Sequence, residues 1–341
     1  MSERLIFWFE ELGQEHHEIV GKKCANLGEM AKIGLPIPPG FALSVGAYND
    51  FLTQTNAKRE IENYLCHLSG NIENIEQFNQ ASQSIRQIVE SKEMPEAMKN
   101  TILSFYDDLC RKCDCIVAVS TRSAGPVSHP GQYETYLNVK GKADLLEKIK
   151  KVWASSFNPR SLAFRKRKGL PLESDPIGVA VLKMVNARVA GIIFTADPNT
   201  GDTSRMIIES NWGLGESVVG GESMPDVCVL NKESLEIVEK KLGTKSRYVI
   251  CKELGVAEEE CPADLSCSYC LSDEEVREIG KLGIQLEKHF GVPQDAEWAI
   301  DRDFEFPKNI ILLQTRPEVI VQKKAPVDQV VDLMLNLFSK G

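Results

Sequence analysis

The sequence predicts a mixed α/β (α+β) protein, with a helical N-terminal region followed by mixed and antiparallel sheets. Three observations predict it. Apolar residues recur at helical spacing up to about Lys112, strand-like runs take over from Ile116, and two late runs, Ala296–Asp301 and Asn309–Arg316, read as an antiparallel hairpin.

The N-terminal part opens on a short strand around Leu5–Phe9. A helix is expected over Lys23–Ile33, with Leu27, Met30 and Ala31 on its apolar side. It stops at Gly34, ahead of a turn rich in proline at Pro36, Pro38 and Pro39. Further helices are expected at Ser44–Thr55, Asn74–Glu90 and Pro95–Lys112, the last with proline in its first turn.

From Ile116 the character changes. Ile116–Ser120 is a buried-type strand that runs into a loop from Ser123 to Gly131, and strands follow at Thr135–Val139, Gly178–Val185, Ala190–Thr195, Met206–Ser210 and Asp226–Leu230. Between the first two lies a helix over Ala143–Ser155, with Leu145, Ile149, Val152 and Trp153 on one face. Ser272 and Glu275 have the spacing of a capping box, which starts a helix running to Phe290. Val327–Phe338 reads as an amphipathic tail.

With 341 residues, 43% of them apolar, the chain can bury sizeable cores, and its formal charge of −9 argues against nucleic acid or an anionic membrane as a partner. No run approaches the roughly 20 apolar residues that a spanning helix needs, so a cytoplasmic location is expected. Ten cysteines in so long a chain do not form a dense disulfide framework. Cys110/Cys113 and Cys267/Cys270 have zinc-like spacing, yet lie far apart in sequence, and free thiols are the preferred reading.

The chemistry concentrates in three places. If Asp301 pairs with Ile310, then Glu297 faces Gln314 and Asp295 faces Arg316, so these four share one face. Trp298, Ile300, Ile311 and Leu313 would fill the other. A carboxylate beside an amide oxygen suits a hard cation such as Mg2+, and a guanidinium suits phosphate. A polar ribbon with a surface ion pair fits these residues equally well. Arg122, at the end of the buried strand and ahead of a glycine-containing loop, can hold phosphate, although an ordinary surface turn looks much the same. Gly21 before a helix start, with Lys22 and Lys23 in the first turn, can face an anion. It is not a Walker A sequence.

Together these pieces resemble the N-terminal ATP-binding domain of the pyruvate phosphate dikinase and phosphoenolpyruvate synthase family. Five ordered blocks between about residues 15 and 318 carry the resemblance. They are Gly21–Glu29, Ser120–Asn138, Gly191–Pro198, Asn211–Glu216 through Pro225-Asp226, and Asp295–Trp298 with Gln314–Pro317.

The resemblance implies an ATP-grasp fold over residues 1–318, with lobes at about 1–115, 116–185, 186–250 and 251–318, and a tail over 319–341. It implies ATP and Mg2+ (or Mn2+) as cofactors. Lys23 and Arg122 match the family's phosphate-binding pair, and Gly131 and Thr135 match the loop that closes over the phosphates. Glu297 and Gln314 match its metal ligands, with Arg316 beside them at the phosphates and Asp295 supporting. Met184 and Val185 lie where the family strand presents backbone groups to adenine. Lys22 replaces a usual glycine, and Leu182 stands where many relatives carry glutamine.

In the family a further domain carries a histidine that accepts phosphate from ATP. The histidines here are His16, His17, His67, His129 and His289, and none lies in such a motif. The expectation is therefore an ATP-dependent phosphotransferase subunit whose partner subunit bears the histidine, with the tail as a candidate docking element. That division resembles phenylphosphate synthase and implies phenol as the acceptor. The alternatives are a split or truncated phosphoenolpyruvate synthase or dikinase acting on pyruvate, and a nucleotide-sensing module without turnover.

Overall fold

The computed structural model describes residues 4–68, 74–126, 133–219 and 223–319. Gly131, His129 and the Val327–Phe338 tail lie outside them. Five strands form the first sheet: β1 (Ile6–Trp8), β2 (Gly40–Leu43), β3 (Ala118–Ala124), β4 (Thr135–Lys140) and β5 (Gly178–Lys183). Their spatial order is β1-β2-β5-β3-β4, all neighbours antiparallel.

The second sheet has six strands, in the order β13-β12-β6-β7-β8-β9. These are β6 (Ala187–Phe194), β7 (Arg205–Trp212), β8 (Asp226–Asn231), β9 (Ile237–Lys241), β12 (Gln294–Asp301) and β13 (Ile310–Pro317). A separate hairpin pairs β10 (Arg247–Cys251) with β11 (Val256–Glu260). Strands up to Lys183 thus share one sheet, and those from Ala187 onward, the separate hairpin apart, share the other.

Side-chain alternation sorts the first sheet into two faces. Val119, Val179, Val181 and Val139 pack on one side against helices including Ile75–Ser91, Glu96–Lys112 and Gly141–Ser155. All four residues expected on the buried side of the last helix, Leu145, Ile149, Val152 and Trp153, are in this core. The opposite face holds Ala124, Ala180 and Leu182, in a second core with the Lys22–Lys32 helix. In that core the Asp273–Phe290 helix also covers one face of the second sheet, with Val276, Ile279 and Leu286 against Ile193, Ile208 and Trp298. Ser272 caps this helix through the expected reciprocal box with Glu275.

Gly191 makes that packing possible, because a Cβ there would lie 2.7 Å from the Trp298 indole and 1.9 Å from the Glu209 carbonyl oxygen. Asp226, in the Pro225-Asp226 block, turns out to be an internal organiser. Its Oδ1 accepts from Lys245 Nζ at 2.5 Å and from the Gly243 N–H at 2.8 Å, and its Oδ2 accepts from the Cys270 N–H at 2.8 Å. Both charges of the Asp226–Lys245 pair are buried.

One part of the hairpin register needs correcting. Glu297 does pair with Gln314, and Asp295 with Arg316, but a bulge between Glu297 and Trp298 shifts everything beyond it. Ile300 pairs with Ile310, while the Asp301 N–H bonds to the Asn309 carbonyl. An extra β13 residue opposite this point swaps the sides of the strand. Leu312 and Ile310 therefore join Trp298 and Ile300 in the core. Ile311 and Leu313 instead meet Val185, Ala187, Ala190 and Ala299 in a small apolar cluster.

Candidate active site

The Lys22–Lys32 helix begins where Gly21 adopts φ +81° and ψ 155°, a conformation essentially reserved for glycine. A Cβ on Gly21 would also lie 2.0 Å from the Ala124 carbonyl oxygen, so the helix start is pressed against the end of β3. The Lys22 N–H bonds to the Gly125 carbonyl at 3.1 Å. Lys22 is exposed and Lys23 half-buried, which distinguishes the two lysines. Three residues on, Asn26 shares the Lys23 side of the helix and donates its side-chain amide to the Thr315 carbonyl at 2.9 Å. This bond ties the helix to β13.

On β3, Arg122 projects from the same face as Ala124, toward the second sheet. Its Nη2 donates to Glu297 Oε2 at 2.7 Å, and Nη1 approaches the Leu313 carbonyl at 3.5 Å. Its Nε is buried without a partner. Thr135 on β4 lies directly opposite Arg122, so both side chains share that face.

On β12 and β13, Gln314 donates its amide to Glu297 Oε1 at 3.3 Å. Among the described residues its own Oε1 accepts no hydrogen bond. Arg316 grips Asp295 through Nε at 2.8 Å and Nη2 at 2.6 Å. Six of the expected residues, Lys23, Arg122, Asp295, Glu297, Gln314 and Arg316, are thus brought into one cluster from segments almost 300 residues apart.

The electrostatics follow from that convergence. Burial pushes the Glu297 carboxyl upward, but the neighbouring Arg122, with Lys23 and Arg316, outweighs it and holds the group below its ordinary range. Burial, together with the positive charges of Arg122 and Arg316, lowers the Lys23 ammonium to about 8 against the pull of Glu297. Asp295 is raised by burial and by Glu297, with Arg316 opposing.

Met184 and Val185 join the two sheets between β5 and β6. The Met184 N–H is already used by the Ala118 carbonyl at 2.8 Å, whereas the Val185 N–H has no partner among the described residues. The Val185 side chain belongs to the apolar cluster on the cleft side. Leu182 is core, on the face of the first sheet that also carries Ala180, Arg122 and Ala124.

The sequence reading passed over Glu209. It faces Ile192, which faces Glu297, so it stands in the same row on the same face of the second sheet. Its signal was a carboxylate inside the otherwise apolar run Met206–Glu209.

Cations from one sheet and from a helix N-terminus, meeting oxygen groups on a second sheet, define an α/β protein of the ATP-grasp type. Residues 17–336 match the family "Pyruvate phosphate dikinase, AMP/ATP-binding domain", and the chain belongs to that family. It is 36% identical over 330 residues to a "Probable phosphoenolpyruvate synthase" of Methanocaldococcus jannaschii, covering 94% of this chain and 27% of that protein. It is 36% identical over 362 residues to the "Phosphoenolpyruvate synthase" of Aeropyrum pernix, covering 95% and 43%. With that of Pyrococcus furiosus it shares 30% identity over 374 residues, covering 96% and 45%. The chain therefore spans less than half the length of these relatives. Among the described residues no helix is long and apolar enough to cross a membrane, and no group of three or more His, Cys, Asp and Glu converges as a metal cluster.

Proposed function

We propose that residues 1–318 act as one ATP-grasp unit that holds ATP and Mg2+ (or Mn2+) for attack by a histidine on a separate carrier subunit. One observation carries the reading. Arg122 and Lys23 converge with Glu297 from three distant segments, and the Arg122 Nε is left buried without an acceptor. A buried guanidinium donor with nothing to bind costs about 1–3 kcal/mol. An oxyanion beside it removes that penalty.

Lys23, Arg122 and Arg316 would neutralise the polyphosphate and keep it in line, since phosphoryl transfer depends chiefly on positioning and charge. Arg122 and Arg316 are ion-paired with Glu297 and Asp295. ATP would draw both guanidinium groups toward phosphate oxygens. Glu297, kept ionised, and the unpartnered Oε1 of Gln314 fit a cation that retains waters and takes its other ligands from phosphates. When bound, the ion would withdraw charge from the polyphosphate. Thr135, beside Arg122, and Gly131 would close over the phosphates. The free Val185 N–H, with Met184, would meet adenine above the apolar cluster.

For the acceptor, a carrier histidine on a separate subunit, the division that resembles phenylphosphate synthase, would make it phenol, with the balance ATP plus phenol plus water giving phenylphosphate, AMP and phosphate. The relatives, which are phosphoenolpyruvate synthases by name, favour a second reading, in which pyruvate takes phenol's place. The test is to incubate the chain and a co-purifying histidine carrier with ATP and either acceptor, following AMP. Release that needs the carrier histidine and phenol supports the first reading, and release with pyruvate supports the second. ATP binding without AMP formation under any combination would mark a nucleotide sensor and overturn both.

A further inference from the structure

Glu209 on β7 is a carboxylate that the roles above leave unused. The row Gln314, Glu297, Ile192, Glu209 crosses four adjacent strands on the cleft face. Two strand spacings separate Glu297 from Glu209, about 9–10 Å along the sheet. Ile192 lies between them, 9% exposed, as an apolar floor. One row away, Ala190 and Ala299 belong to the apolar cluster with Val185, Ile311 and Leu313. Glu209 is half-buried, and among the described residues it has no hydrogen-bond or ion-pair partner. Burial pushes its carboxyl above the ordinary range. A carboxylate in such a place normally has a donor.

We propose that Glu209 is a specificity-determining residue that accepts a hydrogen bond from a ribose hydroxyl of the bound nucleotide. The assignment rests on reading this cleft as the ATP site. With adenine over the apolar cluster and the polyphosphate beside Glu297, the sugar that joins them lies over Ile192. Its hydroxyls are then the donors within reach of the next side chain in the row. A carboxylate repels phosphate oxygens, which excludes the polyphosphate as its ligand. A second cation would need further oxygen ligands, and the residues opposite Glu209 are Ile192 and Val227. A neutral hydroxyl donor is what remains.

The test compares ATP with 2′-deoxy-ATP and 3′-deoxy-ATP by titration calorimetry, using the full chain, Glu209→Gln and Glu209→Ala. Melting curves verify that each variant is folded. The wild-type chain is expected to bind ATP about tenfold or more tighter than at least one deoxy analogue, the worth of a hydrogen bond to a charged acceptor. Glu209→Ala is expected to erase that preference by weakening ATP while leaving the disfavoured analogue unchanged, with Glu209→Gln between them. If both variants bind ATP but keep the full preference, or lose affinity for all three nucleotides alike, the assignment is wrong and the ATP site stands. If the wild-type chain binds none of the three, both the assignment and the ATP reading fall.

Discussion

The charge state of Lys23 gives the site a pH dependence that can be worked out from its surroundings. Its ammonium is lowered to about 8 by burial and by Arg122. A polyphosphate beside it would raise that value again, so binding takes up a proton above pH 8. ATP affinity should then fall as pH rises past 8, approaching a decade per unit, and stay flat in this respect below pH 7. Lys23→Arg, which stays charged throughout, should remove the slope when dissociation constants are measured from pH 7 to 9.5. At Glu297 the side chain faces the cleft, not the core. Glu297→Ala should reduce AMP formation by roughly a hundredfold or more and, by unpairing Arg122, lower the melting temperature modestly while the chain stays folded. Asp226 is the opposite case. Asp226→Ala strands Lys245, whose side chain is 0% exposed, and should cost about 3–5 kcal/mol in urea unfolding.

At the scale of elements, what was legible followed from local rules. Ser272 caps the helix it was expected to cap, because a short polar side chain three residues ahead of a Glu has few other uses there; Asn74 caps its helix in the same way. Glu297 falls opposite Gln314 and Asp295 opposite Arg316 as expected, although the anchoring Asp301–Ile310 pair is replaced by Ile300–Ile310, because the bulge makes up the one-residue difference. The bulge after Glu297 was not legible, since no glycine or proline marks it, and it reversed the sides assigned to Ile311 and Leu313. β2 was missed because Gly40–Leu43 is too short to show a period, and the Ala57–His67 helix because it starts directly after Asn56 at φ +61° without a cap bond. The start of the Lys22–Lys32 helix offers a test at this scale. Gly21→Ala meets the Ala124 carbonyl and a backbone region closed to alanine, so it should lower the melting temperature and weaken ATP binding together. Loss of stability with ATP affinity intact would show that the helix start does not place Lys23.

Across the whole molecule, the site exists only through contacts that no local pattern encodes. Arg122 reaches Glu297 across 175 residues of chain, and Asn26 reaches Thr315 across 289. The residues were legible one by one, but Glu209 was not, because its meaning depends on the strand that lies between it and Glu297. Their meeting is what turns a polar hairpin and a surface-like turn into a cleft suited to a polyphosphate. The most direct measurement is a calorimetric titration of ATP into the full chain with and without Mg2+, repeated with Glu297→Ala and Arg122→Ala. The account predicts Mg2+-dependent binding that Glu297→Ala makes indifferent to Mg2+ and that Arg122→Ala weakens by about tenfold or more. Binding equally tight in all three proteins, with no response to Mg2+, would contradict it.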